Sequence, residues 1–192
     1  MEIIKLRYGN TNTFFLPGGL LVDTDYAGTL PAFYKALKAG GLRLEEITHV
    51  MATHYHPDHC GLIGDLQQHG VRLILAESQE ASVHYADRIF ERDGLGFIPV
   101  DESRADRIRF EESRTYLKSL GIDGEILPTR SHSPDSVSVL LDSGDCLVGD
   151  LSPREYMDGY PDSDALWTDW ERIMDCCPKR IWFAHMPEAE IR

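Results

Sequence analysis

No apolar run in the 192 residues approaches the roughly 18 positions that a membrane-spanning helix needs. The start, MEIIKLRYGNTNTFF, has too short an apolar stretch for a secretory signal, so no leader is expected. Cysteine is scarce. Cys60, Cys146, Cys176 and Cys177 show no disulfide-framework spacing, and reduced thiols in a cytoplasm are the expectation. Positive charge is scarce too: 19 Lys and Arg stand against 32 Asp and Glu, a formal net charge of −13. A protein that neutralises phosphates carries a basic stripe. The closest candidate, residues 87–114, interleaves Arg88, Arg92, Arg104, Arg107, Arg109 and Arg114 with eight acidic side chains and reads as a solvated helical face. Nucleic-acid and membrane partners are therefore not expected; a small-molecule substrate is.

What is present suits one compact α/β domain over residues 1–192. Hydrophobic residues make up 42% and charged ones 27%, and a chain this long buries roughly 70% of its unfolded surface. Short apolar runs, EIIKLRY, TNTFFL and GLLVDTD, are separated by the turn-formers GN and PGG and read as strands. Leu30, Phe33 and Leu37 recur at helical spacing, predicting a helix over 28–39. EEITHVMATH reads as a buried strand, GLIGDLQQHG as a short helix stopped by Gly70, and VRLILA as another strand. Residues 77–121 read as mainly helical, with a lid over a cleft as one use. GEILP with its continuation to His132, SVSVLLD and DCLVGD predict three more strands, followed by a helix around 165–177 and a last strand, RIWFAH.

One stretch stands apart. MATHYHPDHCG places His54, His56, Asp58 and His59 within six positions. In extended chain, residues two apart point the same way, so His54 and His56 can aim imidazole nitrogens at one point. Pro57 keeps the residue before it extended. Asp58 and His59 then fall at the turn into the next helix and can face a second point nearby. Imidazole and carboxylate in this grouping are ligand chemistry for two adjacent divalent cations.

A lone histidine is more often a surface or satisfied core residue, and His49, His69 and His84 are read so. His132, Asp150 and His185 differ, because each ends a predicted strand. Strand ends lie at a sheet's edge, where a cleft gathers residues distant in sequence.

In content, order and spacing these residues resemble the metallo-β-lactamase-fold hydrolases: H-x-H-x-D-H at 54–59, then His132, Asp150 and His185. Asp23 in LLVDTD matches the family's early structural aspartate. The resemblance implies a four-layer αβ/βα sandwich of two mixed β-sheets flanked by helices, with the metal cleft at the sheets' edges. It implies first-site ligands His54, His56 and His132, second-site ligands Asp58, His59 and His185, and a bridging Asp150. The cofactors implied are two divalent ions, zinc by default, with iron or manganese tolerated. A hydroxide shared by the ions would be the nucleophile, with Asp58 the catalytic carboxylate that orients it and passes a proton to the leaving atom. A bridging aspartate is similar to the glyoxalase II and lactonase branches. Cys60, beside His59, reads as a small buried thiol.

Two departures stand out. HSPDS carries Asp135 where the family often has glycine, for which only a local adjustment is expected. The chain also ends seven residues after His185, without the helical domain by which glyoxalase II holds glutathione, which counts against glutathione thioesters. The function expected is hydrolysis of a small ester, thioester or lactone. The alternatives are a phosphodiesterase or nuclease, and a non-catalytic metal-binding sensor. Arg154 and Tyr156 are candidates for substrate contact against a plainer reading as solvated and packed residues. Trp167, Trp170 and Trp182 are expected in the core.

Overall fold

Turn residues cut the N-terminal region into hairpins. The computed structural model describes residues 2–159 and 164–191. Strands β1 (Ile4–Arg7), β2 (Asn12–Leu16) and β3 (Leu20–Val22) form an antiparallel meander. Helical crossovers then change the direction of pairing. Helix α1 (Leu30–Ala39) leads to β4 (His49–Met51). Helices α2 (Pro57–Cys60) and α3 (Ile63–Gln68) lead to β5 (Arg72–Ala76). Helix α4 (Asp87–Arg92) precedes β6 (Ala105–Ile108). The contacts β3–β4, β4–β5 and β5–β6 are parallel, so the first sheet runs β1-β2-β3-β4-β5-β6.

Helix α5 (Phe110–Ser119) crosses to a second sheet of β7 (Gly124–Pro128), β8 (Val137–Leu141) and β9 (Asp145–Gly149). Helix α6 (Asp164–Asp175), β10 (Arg180–Phe183) and a two-residue β11 (Ala189–Glu190) complete it in the order β11-β10-β9-β8-β7. The sheets pack face to face. Phe14, Leu16, Leu20, Val22, Met51 and Ile74 of the first meet Ile126, Val137, Val139, Leu141, Leu147 and Trp182 of the second. The period of two then sends Phe15, Leu21, Val50 and Leu73 to the opposite face, under α1, α3 and α4. Helix α6 covers the second sheet's outer face through Leu166, Trp170 and Ile173. This is the expected sandwich of two mixed sheets with helices outside.

Three expectations about elements are corrected. Residues 77–121 are not mainly helical: turns and loop surround α4, and β6 adds an edge strand. Its charged ADRI sequence hid it, yet an edge strand carries charge on the solvent side without cost to the core. Phe90 of α4 is buried in the core, so this part of the segment packs against the first sheet's outer face. Strand β7 stops at Pro128, leaving His132 in the turn before β8. Trp167 is 45% exposed, because α6 turns Leu166, Asp169, Trp170 and Ile173 inward and its neighbour outward; Trp170 and Trp182 are buried. Among the described residues no helix is long and apolar enough to cross a membrane.

Candidate metal centre

The C-terminal ends of β3, β4, β9 and β10 meet at one edge of the sandwich, and the loops leaving them carry the site. After Met51 the chain leaves the strand and bends at Thr53 and His54 rather than running on extended; His56 itself is extended (φ −70°, ψ 152°), and Pro57 opens α2 with the φ its ring imposes. All seven predicted residues come together there. His54, His56, His132 and Asp150 have ligand atoms within 4.8 Å of one another, and so do Asp58, His59 and His185.

Asp150 faces both groups. Its Oδ2 lies 3.9 Å from His54 Nε2 and 3.7 Å from His132 Nε2. Its Oδ1 lies 3.4 Å from His59 Nε2 and 3.2 Å from His185 Nε2. Asp58 Oδ2 is 3.2 Å from His185 Nε2, and His56 Nδ1 is 3.1 Å from His132 Nε2.

The rings are aimed from behind. His185 Nδ1–H donates to the Asn10 carbonyl at 3.2 Å, leaving Nε2 for the cluster. Asn12 holds the backbone around His185: its side-chain amide donates to the carbonyls of Phe183 and Met186, and its backbone N–H to that of Ala184. His59 Nδ1 sits 3.1 Å from Asp23, which is fully buried and also accepts the Thr53 N–H and hydroxyl. Asp23 adopts φ +60°, a left-handed conformation that aspartate tolerates better than most residues. Gly149 sits at φ +58°, and a Cβ there would lie 2.4 Å from the Thr53 hydroxyl. Only glycine lets Asp150 follow so close to that threonine.

Sequence reasoning missed three further supports. Asp135 is buried, and its carboxylate accepts the Tyr55 N–H at 2.8 Å, fixing the backbone between His54 and His56. HSPDS flagged the position, but not this contact across 80 residues. Asp169 of α6, also buried, accepts the Ser131 N–H at 2.8 Å and anchors the turn that carries His132. Gln79 donates to the carbonyls of Ala52 and Thr53. Nothing local marks these roles. Tyr85, 58% exposed, lays its ring 5.6 Å from that of His56 at the rim. Cys60 is the small buried thiol expected, and burial pushes its pKa well up. Arg154 and Tyr156 are both exposed, beyond the residues that line the cleft.

The electrostatics divide the cluster. Burial holds His54 well below the usual imidazole range, reinforced by the neighbouring His59 charge. Burial also lowers His132, with Asp150 opposing. Burial disfavours charge on His59 as well, but Asp23 and Asp150 prevail and push it up to about 10. The carboxylates of Asp150 and Asp58, each 3.2 Å from its Nε2, raise His185 to about 10. Burial opposes ionisation of Asp150, yet His185 and His59 hold it far below the ordinary carboxylate range.

The donor set fits divalent cations. His54 Nε2, His59 Nε2 and Asp150 Oδ1 are buried and make no hydrogen bond. A buried unpaired polar atom costs about 1–3 kcal/mol, and three converging on one cleft are what cations would satisfy. Imidazole and carboxylate are suitable ligands for zinc, iron or manganese.

Comparison with known proteins agrees with this architecture. "Lactamase-like protein adaB" of Aspergillus niger is 39% identical over 67 residues, covering 32% of this chain and 20% of that protein. The chain thus spans about a fifth of the length of that curated relative. Among solved structures, a metallo-beta-lactamase family protein from Thermus thermophilus superposes with a TM-score of 0.64 at 20% identity, over 98% of this chain and 74% of that one. A putative metallo-beta-lactamase from Thermotoga maritima gives 0.69 at 17%, over 97% and 91%. TTHA1623, solved in a di-iron-bound form, gives 0.68 at 21%, over 99% and 94%. The sequence model of the Metallo-beta-lactamase superfamily matches residues 7–175. With the sandwich, the edge cleft and that match in agreement, the chain belongs to the metallo-beta-lactamase superfamily, a group of metal-dependent hydrolases.

Proposed function

We propose that the protein is a dinuclear metal-dependent hydrolase of small esters, thioesters or lactones. The observation that carries this is Asp150, with one oxygen turned to His54 and His132 and the other to His59 and His185. In this reading His54, His56 and His132 would hold one ion and Asp58, His59 and His185 the other, with Asp150 available to both. Such ions polarise a carbonyl oxygen and bring the pKa of water from 15.7 towards about 7.

The chain's own residues supply the rest. Asp23 and the Asn10 carbonyl orient His59 and His185 before substrate arrives. Asp58, half-buried beside His185, would orient the attacking water and carry its proton to the leaving oxygen or sulfur. Zinc is the default ion; iron is the principal rival, since TTHA1623 was solved with two irons. The four free thiols favour a reducing, cytoplasmic setting.

The test pairs elemental analysis of protein prepared without added metal with turnover of p-nitrophenyl esters, thioesters, lactones and bis-p-nitrophenyl phosphate. Two ions per chain and carbonyl-substrate turnover, both lost in His56→Ala, are expected. Full activity in His56→Ala would overturn the mechanism. Turnover of the phosphodiester alone would make the chain a phosphodiesterase, and metal binding without any turnover would make it a sensor.

A further inference from the structure

The end of β9 and the end of β10 diverge beyond the candidate ligands and leave a cavity of about 180 Å³ between them. Its polar side is His132, Asp150 and His185. Its remaining wall is largely apolar: Leu151, Pro153, Phe183 and Met186, the first three buried. No lysine or arginine is among its described lining residues, and Ser152 is its only other polar side chain. Both walls are pinned from outside the cavity. Trp170 Nε1–H donates to the Ser152 carbonyl, and the Asn12 amide donates to the carbonyls of Phe183 and Met186. The pocket is therefore preformed, as small-ligand sites are.

We propose that this cavity is the acyl subsite, and that it takes an uncharged aliphatic acyl chain of up to about six carbons. This rests on the hydrolase reading above and names its substrate class. The size follows from volume: 180 Å³ holds about six groups of the ~30 Å³ that a water occupies in the liquid. The charge preference follows from the lining. A carboxylate at the far end of the acyl chain would leave water for the apolar wall of Leu151, Pro153, Phe183 and Met186, away from the candidate ligands, where no lysine or arginine is among the described lining residues to pair with it. In the reaction water's oxygen bonds to the carbonyl carbon, the carbon–oxygen or carbon–sulfur bond to the leaving group breaks, and water's proton passes to that group. The acid product keeps its chain in the cavity until release.

The test varies the acyl chain of p-nitrophenyl esters at a constant leaving group. From acetate to hexanoate kcat/KM should rise about fourfold per methylene, the gain expected for each buried CH₂, then fall at decanoate. The hemisuccinate should react at least about tenfold more slowly than the butyrate. Met186→Trp should move the optimum to acetate and Met186→Ala to longer chains. A flat length profile, a preference for the hemisuccinate, or an optimum unmoved in both variants would overturn the assignment. Binding is read separately with protein carrying ¹³C-methyl methionine, titrated with 2-hexanone. The Met186 signal, identified by its loss in Met186→Leu, should shift saturably. If no ester is turned over but the ketone still shifts Met186, the hydrolase reading fails and the apolar pocket stands. If esters are turned over and Met186 does not respond, the pocket assignment fails alone.

Discussion

Strand β4 has a histidine beside a carboxylate at each end, and only one end carries a site. At its start, His49 hydrogen-bonds Thr48 through Nδ1, points Nε2 towards Asp106 at 3.8 Å and packs its ring edge-on against Tyr116. Asp106 is itself occupied by Arg72 and the Tyr116 hydroxyl. Past its far end, His54 Nε2 is buried without a hydrogen-bond partner, and His59 Nε2 and Asp150 Oδ1 share that condition. A histidine next to an aspartate is therefore a poor mark of function. The distinguishing mark is convergence of buried, unsatisfied donor atoms, because a protein keeps these only where something else completes them.

The comparison breaks most readily at Asp150. Asp150→Ala removes the carboxylate that faces both triads, so metal content measured by elemental analysis should drop for both ions. Turnover should fall by more than the 10–100-fold typical of losing an outer partner. Retention of two ions would show that Asp150 does not bridge. Removing metal with a chelator should lower the melting temperature, since a ligand at about 1,000 times its Kd contributes about 4.1 kcal/mol. Asp106→Asn at the other end of β4 should leave that metal-dependent increment intact.

A finer test addresses the supports. Asp135→Ala leaves the Tyr55 N–H buried without its acceptor, which costs about 1–3 kcal/mol. It should also weaken metal binding about 10–100-fold by freeing the backbone between His54 and His56. Asp135→Asn keeps an acceptor and should recover most of both. A drop in stability with unchanged metal affinity would make Asp135 purely structural.

How far the sequence carried this picture depends on the range of each interaction. Strands β2, β3, β5, β8 and β9 and helices α1 and α6 were readable because apolar periodicity records which face is buried. The seven-residue cluster was readable because metal-ligand chemistry admits few residue types and because strand ends share an edge. Strand β6 was not, since its charged residues, Asp106 paired with Arg72 and Tyr116 and Arg107 exposed, mimic a polar helix. Asp135 and Asp169 were not, since each acts on a backbone N–H 80 and 38 residues away, and such a contact leaves no periodic trace. Trp167 misled for the opposite reason: its apolar neighbours describe the helix's other face.

The smallest expected effect sharpens the comparison from the end of β4 where His49 and Asp106 are already satisfied. Arg72 beside Asp106 holds that carboxyl below its ordinary value, with the Tyr116 hydroxyl assisting. A carboxylate depressed in the folded state stabilises the fold above its unfolded pKa, near 3.8, and loses that contribution as pH falls through the lower folded value. Asp106→Asn should therefore cost at most about 1 kcal/mol at neutral pH, the range of a partly exposed ion pair. The deficit should persist down to about pH 4 and shrink below it, as the wild-type carboxylate is protonated. Denaturant titrations of both proteins from about pH 7 to about pH 2 check this, with turnover at neutral pH unchanged. A loss of turnover in Asp106→Asn would mean that the two ends of β4 are coupled, and that satisfied and unsatisfied histidines on this strand do not act independently.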